Sequence, residues 1–171
     1  GAAAAAALRV GEDADVAAAQ MARTISIHSF AQFSNEPIIR LTERVLSLAP
    51  ENMRRIVFGN SGSDANDTQV KLVRRYNNVR GLPQKKKIIS RISAYHGSTI
   101  ASGSLTGIPL VHRTFDLPIE GVLHTHMHDY HRRPEHIDDI EAYVRWLADE
   151  LEAMILREGP ETVAAFIAEP V

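Results

Sequence analysis

Short runs of β-branched and aliphatic residues, separated by longer stretches with helical spacing, restrict this chain more than any other feature. The runs are Arg55-Ile56-Val57-Phe58, Lys87-Ile88-Ile89-Ser90 and Val163 to Ala168, with Gly121-Val122-Leu123-His124 as a further candidate. Glycine or polar turn residues flank them, which is how strands read in a sequence. Between them the apolar spacing changes to threes and fours. Asn35-Glu36-Pro37 supplies a cap and a first-turn proline for a helix carrying Ile38, Leu41, Val45 and Leu48, which Pro50 stops. A second helix, with Asp64 in its first turn, carries Ala65, Thr68, Leu72, Tyr76 and Val79 until Gly81 and Pro83 end it. A short small-residue helix runs to Leu105, and Ile140, Val144, Leu147, Leu151 and Ile155 mark the longest one, from about Pro134 to Arg157. Asp13 to Arg23 has the alanine-rich pattern of another. Strands alternating with helices predict an α/β fold, a parallel-rich sheet with helices on both faces. Ligands in such folds sit beyond the carboxyl ends of the strands. The loops to inspect are therefore Gly59 to Ser63, Ser93 to Thr99 and the exit at Glu169.

Composition narrows the function. A net charge of -2 over 171 residues gives no electrostatic reason to expect nucleic acid or an anionic membrane as partner. The chain has no cysteine, which excludes disulfides, thiolate metal sites and a cysteine nucleophile. No apolar run approaches a membrane span and no signal peptide is recognisable, so a cytoplasmic protein is expected. Gly1 followed by Ala2 to Ala7 is tag-like, and residues 1–12 are set aside from fold reasoning. Residues 13–171 read as one segment whose last residues, Phe166 to Val171, look like a strand leaving its sheet. The expectation is a piece of a longer protein.

Three segments can carry chemistry. Gly59-Asn60-Ser61-Gly62-Ser63 between a strand and a helix is a phosphate-binding geometry: glycine permits close backbone approach, first-turn amides point outward and the helix dipole favours an anion. The Ser63 hydroxyl adds a donor. The same Ser-Gly-Ser also suits a simple turn with a cap, and it is neither a P-loop nor a dinucleotide fingerprint. Tyr95-His96-Gly97 leaves the next strand at the same sheet edge, where an aromatic ring can stack on a planar ligand; packing on its own helix is the alternative. Glu169 can orient a ligand group or be a solvated strand-end carboxylate.

Together these segments resemble the class III aminotransferases. The resemblance rests on Asn60-Ser61-Gly62-Ser63-Asp64-Ala65-Asn66-Asp67-Thr68, Lys85 to Arg91, Ala94-Tyr95-His96-Gly97-Ser98-Thr99, Gly103 to Gly107, Phe115-Asp116-Leu117-Pro118 and Ala164 to Val171, in order. It runs from about Asp13 to the last residue and is most similar to the ω-amino acid:pyruvate branch. It implies the large domain of a fold-type-I transferase that binds pyridoxal 5'-phosphate and moves an amino group from an amine or ω-amino acid to a keto acid such as pyruvate. It further implies that Gly62 and Ser63 hold the cofactor phosphate and that Tyr95, with His96 and Gly97, lies against the ring. Glu169 would sit beside the cofactor. Tyr95 and Ser98 would line the substrate pocket, and Phe30 and Phe33 would reach the neighbouring subunit's pocket in a homodimer with shared active sites.

One requirement is unmet. Aminotransfer needs a lysine that bonds covalently to the cofactor. The four lysines here, Lys71, Lys85, Lys86 and Lys87, match no such pattern, and the family places that residue further downstream, with the aspartate that pairs with the ring nitrogen. No catalytic residue is therefore assigned, and the segment by itself is expected to be inactive. A different reading takes His124, His126, His128 and His131 as ligands for zinc or nickel, because alternate strand residues share a face. A histidine-rich surface loop is the simpler explanation, and no metal is expected. A third takes the segment as a non-catalytic interaction module.

Overall fold

The computed structural model describes residues 14–22 and 34–169. They fall into two compact units, one through Val57 and one from Phe58 onward.

The described residues of the first unit form two helices. Residues 14–22 form α1. Glu36–Leu48 form α2, capped by Asn35, whose side chain accepts from the Ile38 amide at 3.0 Å. A proline in the first turn completes this start, and Ala49 ends the helix in extended backbone ahead of Pro50. No residue of α2 is buried. The expected strand at Arg55–Phe58 does not form. These residues have no regular secondary structure and pair with no strand among the described residues, and Val57 stands 70% exposed. β-branched side chains favour extended backbone, but a strand exists only where a neighbour accepts its hydrogen bonds.

The second unit holds a parallel sheet in the order β2-β1-β3. Its elements are α3 (Gly62–Val79), β1 (Lys87–Arg91), α4 (Ile100–Leu105), β2 (Val122–Thr125), α5 (Ile140–Glu158) and β3 (Val163–Phe166). The apolar run at the centre, β1, pairs Ile88 with Val122 on one side and with Ala165 on the other. Ile88 and Val122 meet Val70 of α3 and Leu105 of α4 in the core. Ile89 points to the opposite face by the two-residue period and is also fully enclosed. After Phe166 the ladder goes on for one bond, from the Ile167 amide to the Ile89 carbonyl.

Two helices differ from the sequence expectation. In α3 the residues with the clearest apolar spacing, Leu72, Tyr76 and Val79, are exposed, while Val70 and Asn77 are buried. The buried face is mixed apolar and polar, so hydropathy alone points to the wrong stripe. α5 begins at Ile140 and not near Pro134, because the Asp139 side chain accepts from the Ala142 amide and fixes the first turn. The residues before it are held in a turn in which the Arg133 guanidinium donates to the Ile137 carbonyl.

Candidate active site

Ser61 and Ser63, alike in sequence, do different work. Ser61 is the N-cap of α3, its hydroxyl accepting from the Asp64 amide at 3.1 Å, while the Asp64 carboxylate turns back to the Asn60 amide. This local pair commits Ser61 and Asp64 to holding the helix start, a contribution of about 1 kcal/mol. Gly62 and Ser63 follow, and their amides have no intrahelical acceptor at a helix start. Gly62 is exposed, with open space where a side chain would stand. Ser63 is half-buried, and its hydroxyl oxygen accepts from the Ser98 amide at 3.1 Å.

That bond joins α3 to the loop leaving β1. Three side chains spaced along one face of α3 hold this loop. Below Ser63, Asn66 donates from Nδ2 to the His96 carbonyl at 2.6 Å. Asp67 Oδ1 accepts from the Thr99 hydroxyl at 2.7 Å and from the Ser102 amide at 3.0 Å. From the other side the buried Thr106 hydroxyl accepts from the amides of His96 and Gly97. Gly97 has φ +134, and a β-carbon there would collide with the hydroxyls of Ser63 and Ser102, so only glycine fits. Tyr95 is left 60% exposed at the carboxyl edge of the sheet.

β3 delivers Glu169 to the same edge, where its Oε1 accepts from the Tyr95 amide at 2.9 Å. The ring of His96 is buried and its Nε2 has no partner among the described residues. Burial pushes the His96 pKa down, and the Glu169 charge opposes that only in part, so the imidazole is neutral at neutral pH. A cleft of about 250 Å³ opens beside Glu169, bordered by Arg91, Asp129 and Arg132. It lies between the carboxyl ends of β1 and β2, and no sequence motif marks it.

Of the residues singled out from sequence, Gly62, Ser63, Tyr95, His96, Gly97, Ser98 and Glu169 come together on elements that meet at this edge. Phe30 and Phe33 lie outside the described residues. The histidines do not converge. His124 turns to the Leu105 carbonyl and the His112 ring, and His126 to Trp146 and Glu150 of α5. His131 lies against the Tyr130 ring. No group of three or more side chains able to share a metal occurs among the described residues. Asn66, Asp67 and Thr106 were not singled out from the sequence. Asn66 and Asp67 stand three and four residues after Ser63, and that helical spacing of polar groups was the available signal.

The family model of the class III aminotransferases matches residues 10–171. The chain belongs to that family. It is 56% identical over 146 residues to a diaminobutyrate--2-oxoglutarate transaminase of Halomonas elongata, covering 84% of this chain and 31% of that protein. It is 53% identical over 148 residues to a vanillin aminotransferase of Capsicum chinense, covering 84% and 32%. Among solved structures it resembles an omega transaminase from Pseudomonas jessenii in complex with PMP, at 49% identity and a TM-score of 0.81, over 85% of this chain and 32% of that one. A structure described as a transaminase with L-ala superposes with a TM-score of 0.88 at 50% identity, over 92% of this chain and 37% of that one. The chain thus spans about a third of the length of the relatives it matches. Class III aminotransferases depend on pyridoxal 5'-phosphate. The helix start at exposed Gly62 and half-buried Ser63, the exposed Tyr95 and the close-packed Gly97 backbone suit a phosphorylated planar cofactor.

Proposed function

We propose that this chain forms the phosphate cup and ring platform of an aminotransferase that moves an amino group from an amine or ω-amino acid to a keto acid such as pyruvate. The observation that carries the reading is the Ser63–Ser98 hydrogen bond, which sets the free first turn of α3 directly beside the Tyr95 loop. Gly62 and Ser63 would hold the phosphate through first-turn amides and the Ser63 hydroxyl. Tyr95 would stack on the pyridine ring, with the Gly97 backbone close by and His96 buried beneath. Glu169 would fix Tyr95 through its amide and place a negative charge beside the cofactor. Ser98 and Tyr95 would border the substrate, and Phe30 and Phe33 would reach the neighbouring subunit's pocket. When bound, the cofactor supplies the electron sink and the carbon that carries nitrogen between the two substrates. This segment's part is to bind and orient it.

A homodimer with shared active sites and a cytoplasmic location complete the proposal. No helix among the described residues is long and apolar enough to cross a membrane. The test uses the complete polypeptide loaded with cofactor. Adding a donor amine should bleach the visible absorbance, and adding pyruvate should restore it. Failure with both pyruvate and 2-oxoglutarate across a panel of amines would refute the reaction class.

A further inference from the structure

We infer that Asn66 and Asp67 are positioning residues that set the distance between the phosphate cup and the ring platform, so that one rigid cofactor must span both. This rests on the cofactor reading above and goes beyond it by naming what holds its two halves in register.

The geometry is that of a ruler. α3 begins at the phosphate cup, and its first two turns carry Ser63, Asn66 and Asp67 at helical spacing on one face. Each meets a different point of the segment that carries Tyr95: Ser63 takes the Ser98 amide, Asn66 the His96 carbonyl, and Asp67 the Thr99 hydroxyl and Ser102 amide. An α-helix is stiff over two turns, so these bonds translate the helix rise into a fixed height of the loop above the cup. Asp67 makes the strongest of them, because a carboxylate accepting two donors forms charge-assisted bonds. Its second effect is on α4: Ser102 Oγ lies 2.6 Å from the Thr99 hydroxyl, so Asp67, Thr99 and Ser102 form one closed set at the start of that helix. Thr106, at the end of α4, reaches back to the amides of His96 and Gly97. Displacing Asp67 therefore moves the loop from both of its ends.

A ligand that touches both sites gains from their fixed separation, whereas one that touches a single site does not. The experiment uses the complete apo-polypeptide, with Asp67→Ala, Asn66→Ala and the milder Thr99→Val as variants. Three quantities are read: affinity for pyridoxal 5'-phosphate, affinity for inorganic phosphate alone, and the circular dichroism of the bound cofactor. Asp67→Ala should weaken cofactor binding roughly tenfold, in line with loss of charge-assisted hydrogen bonds, while phosphate affinity stays within about twofold. The dichroism should fall in amplitude at saturating cofactor, because the ring is no longer held at one angle. Thr99→Val, which leaves the carboxylate and the Ser102 bond in place, should show the same split at smaller size. If cofactor and phosphate affinities fall together, or neither moves, Asn66 and Asp67 serve the fold and not the register, and the inference is overturned. If the unsubstituted apo-polypeptide binds no cofactor, the underlying reading fails first and takes this one with it.

Discussion

The amide of Tyr95 donates to the carboxylate of Glu169 at 2.9 Å, across 74 residues of sequence. Tyr95 leaves β1 and Glu169 leaves β3, and the two strands are hydrogen-bonded neighbours in a parallel sheet. Parallel pairing brings both exits to the same edge, so the bond is a direct consequence of strand order. It also gives Glu169 a structural duty in addition to any electrostatic one.

Replacing Glu169 separates those duties. Glu169→Gln keeps an acceptor for the Tyr95 amide, whereas Glu169→Ala removes it. The alanine variant of the complete protein should lose about 1.5–3 kcal/mol of cofactor binding, the range of one hydrogen bond to a charged group. The glutamine variant should retain most of that affinity while its activity falls. Equal affinity losses in both would assign Glu169 an electrostatic role alone.

Ser63→Ala removes the hydroxyl at the helix start and the acceptor of the Ser98 amide together. Cofactor retention should weaken by about 1–3 kcal/mol. A titration giving unchanged affinity would take Ser63 out of the phosphate cup.

Gly97→Ala should be strongly damaging. The position needs a positive φ and has no room between Ser63 and Ser102. Backbone strain and overpacking each cost about 1–3 kcal/mol. A urea midpoint and a cofactor affinity both equal to those of the unsubstituted protein would show that the loop can rearrange freely.

The lysine that bonds the cofactor should not be one of Lys71, Lys85, Lys86 or Lys87. Lys87 opens β1 and is held by the Glu158 carbonyl and carboxylate at 2.9 Å, and Lys85 donates to the Pro160 carbonyl. Both lie at the amino end of the sheet, and β1 alone puts about 13 Å between Lys87 and Arg91 at roughly 3.3 Å per residue. Borohydride reduction of the loaded complete protein, followed by peptide mapping, should find the pyridoxyl group on a lysine outside residues 1–171. A modified lysine among these four would mean that the site has been placed at the wrong edge.

Stability should decline on acidification through the range just below pH 6.5. Burial lowers the His124 pKa from 6.5, and the neighbouring His112 lowers it further, although carbonyls of Leu105, Ser104 and Thr106 oppose the shift. His96 is lowered in the same direction. With the folded pKa below the unfolded one, the unfolded chain takes up protons first as pH falls. Stability is then complete above the unfolded value and is lost as pH drops toward the folded one. Urea unfolding at stepped pH should show this slope, and His124→Gln should flatten it. An unchanged slope in that variant would assign the effect to other groups.

By itself the sequence determined the alternation of strand and helix, the helix start at Asn35, and the turn at Asn60 to Ser63 that opens α3. These are local matters: propensity, capping and the period of apolar residues act within a few residues, so they can be read without knowing what packs where. Tertiary structure decided the rest. Arg55–Phe58 has the composition of a strand but pairs with none among the described residues, because pairing is a property of two segments. The inward face of α3 carries half-buried Asn66 beside buried Val70 and Asn77, since its partners are a polar loop as much as an apolar sheet. The division of labour between Ser61 and Ser63, and the enlistment of Asn66, Asp67 and Thr106 around the Tyr95 loop, depend on contacts spanning up to 35 residues. No local pattern encodes contacts of that kind, because their energy is gained only once the strand order has brought the segments together.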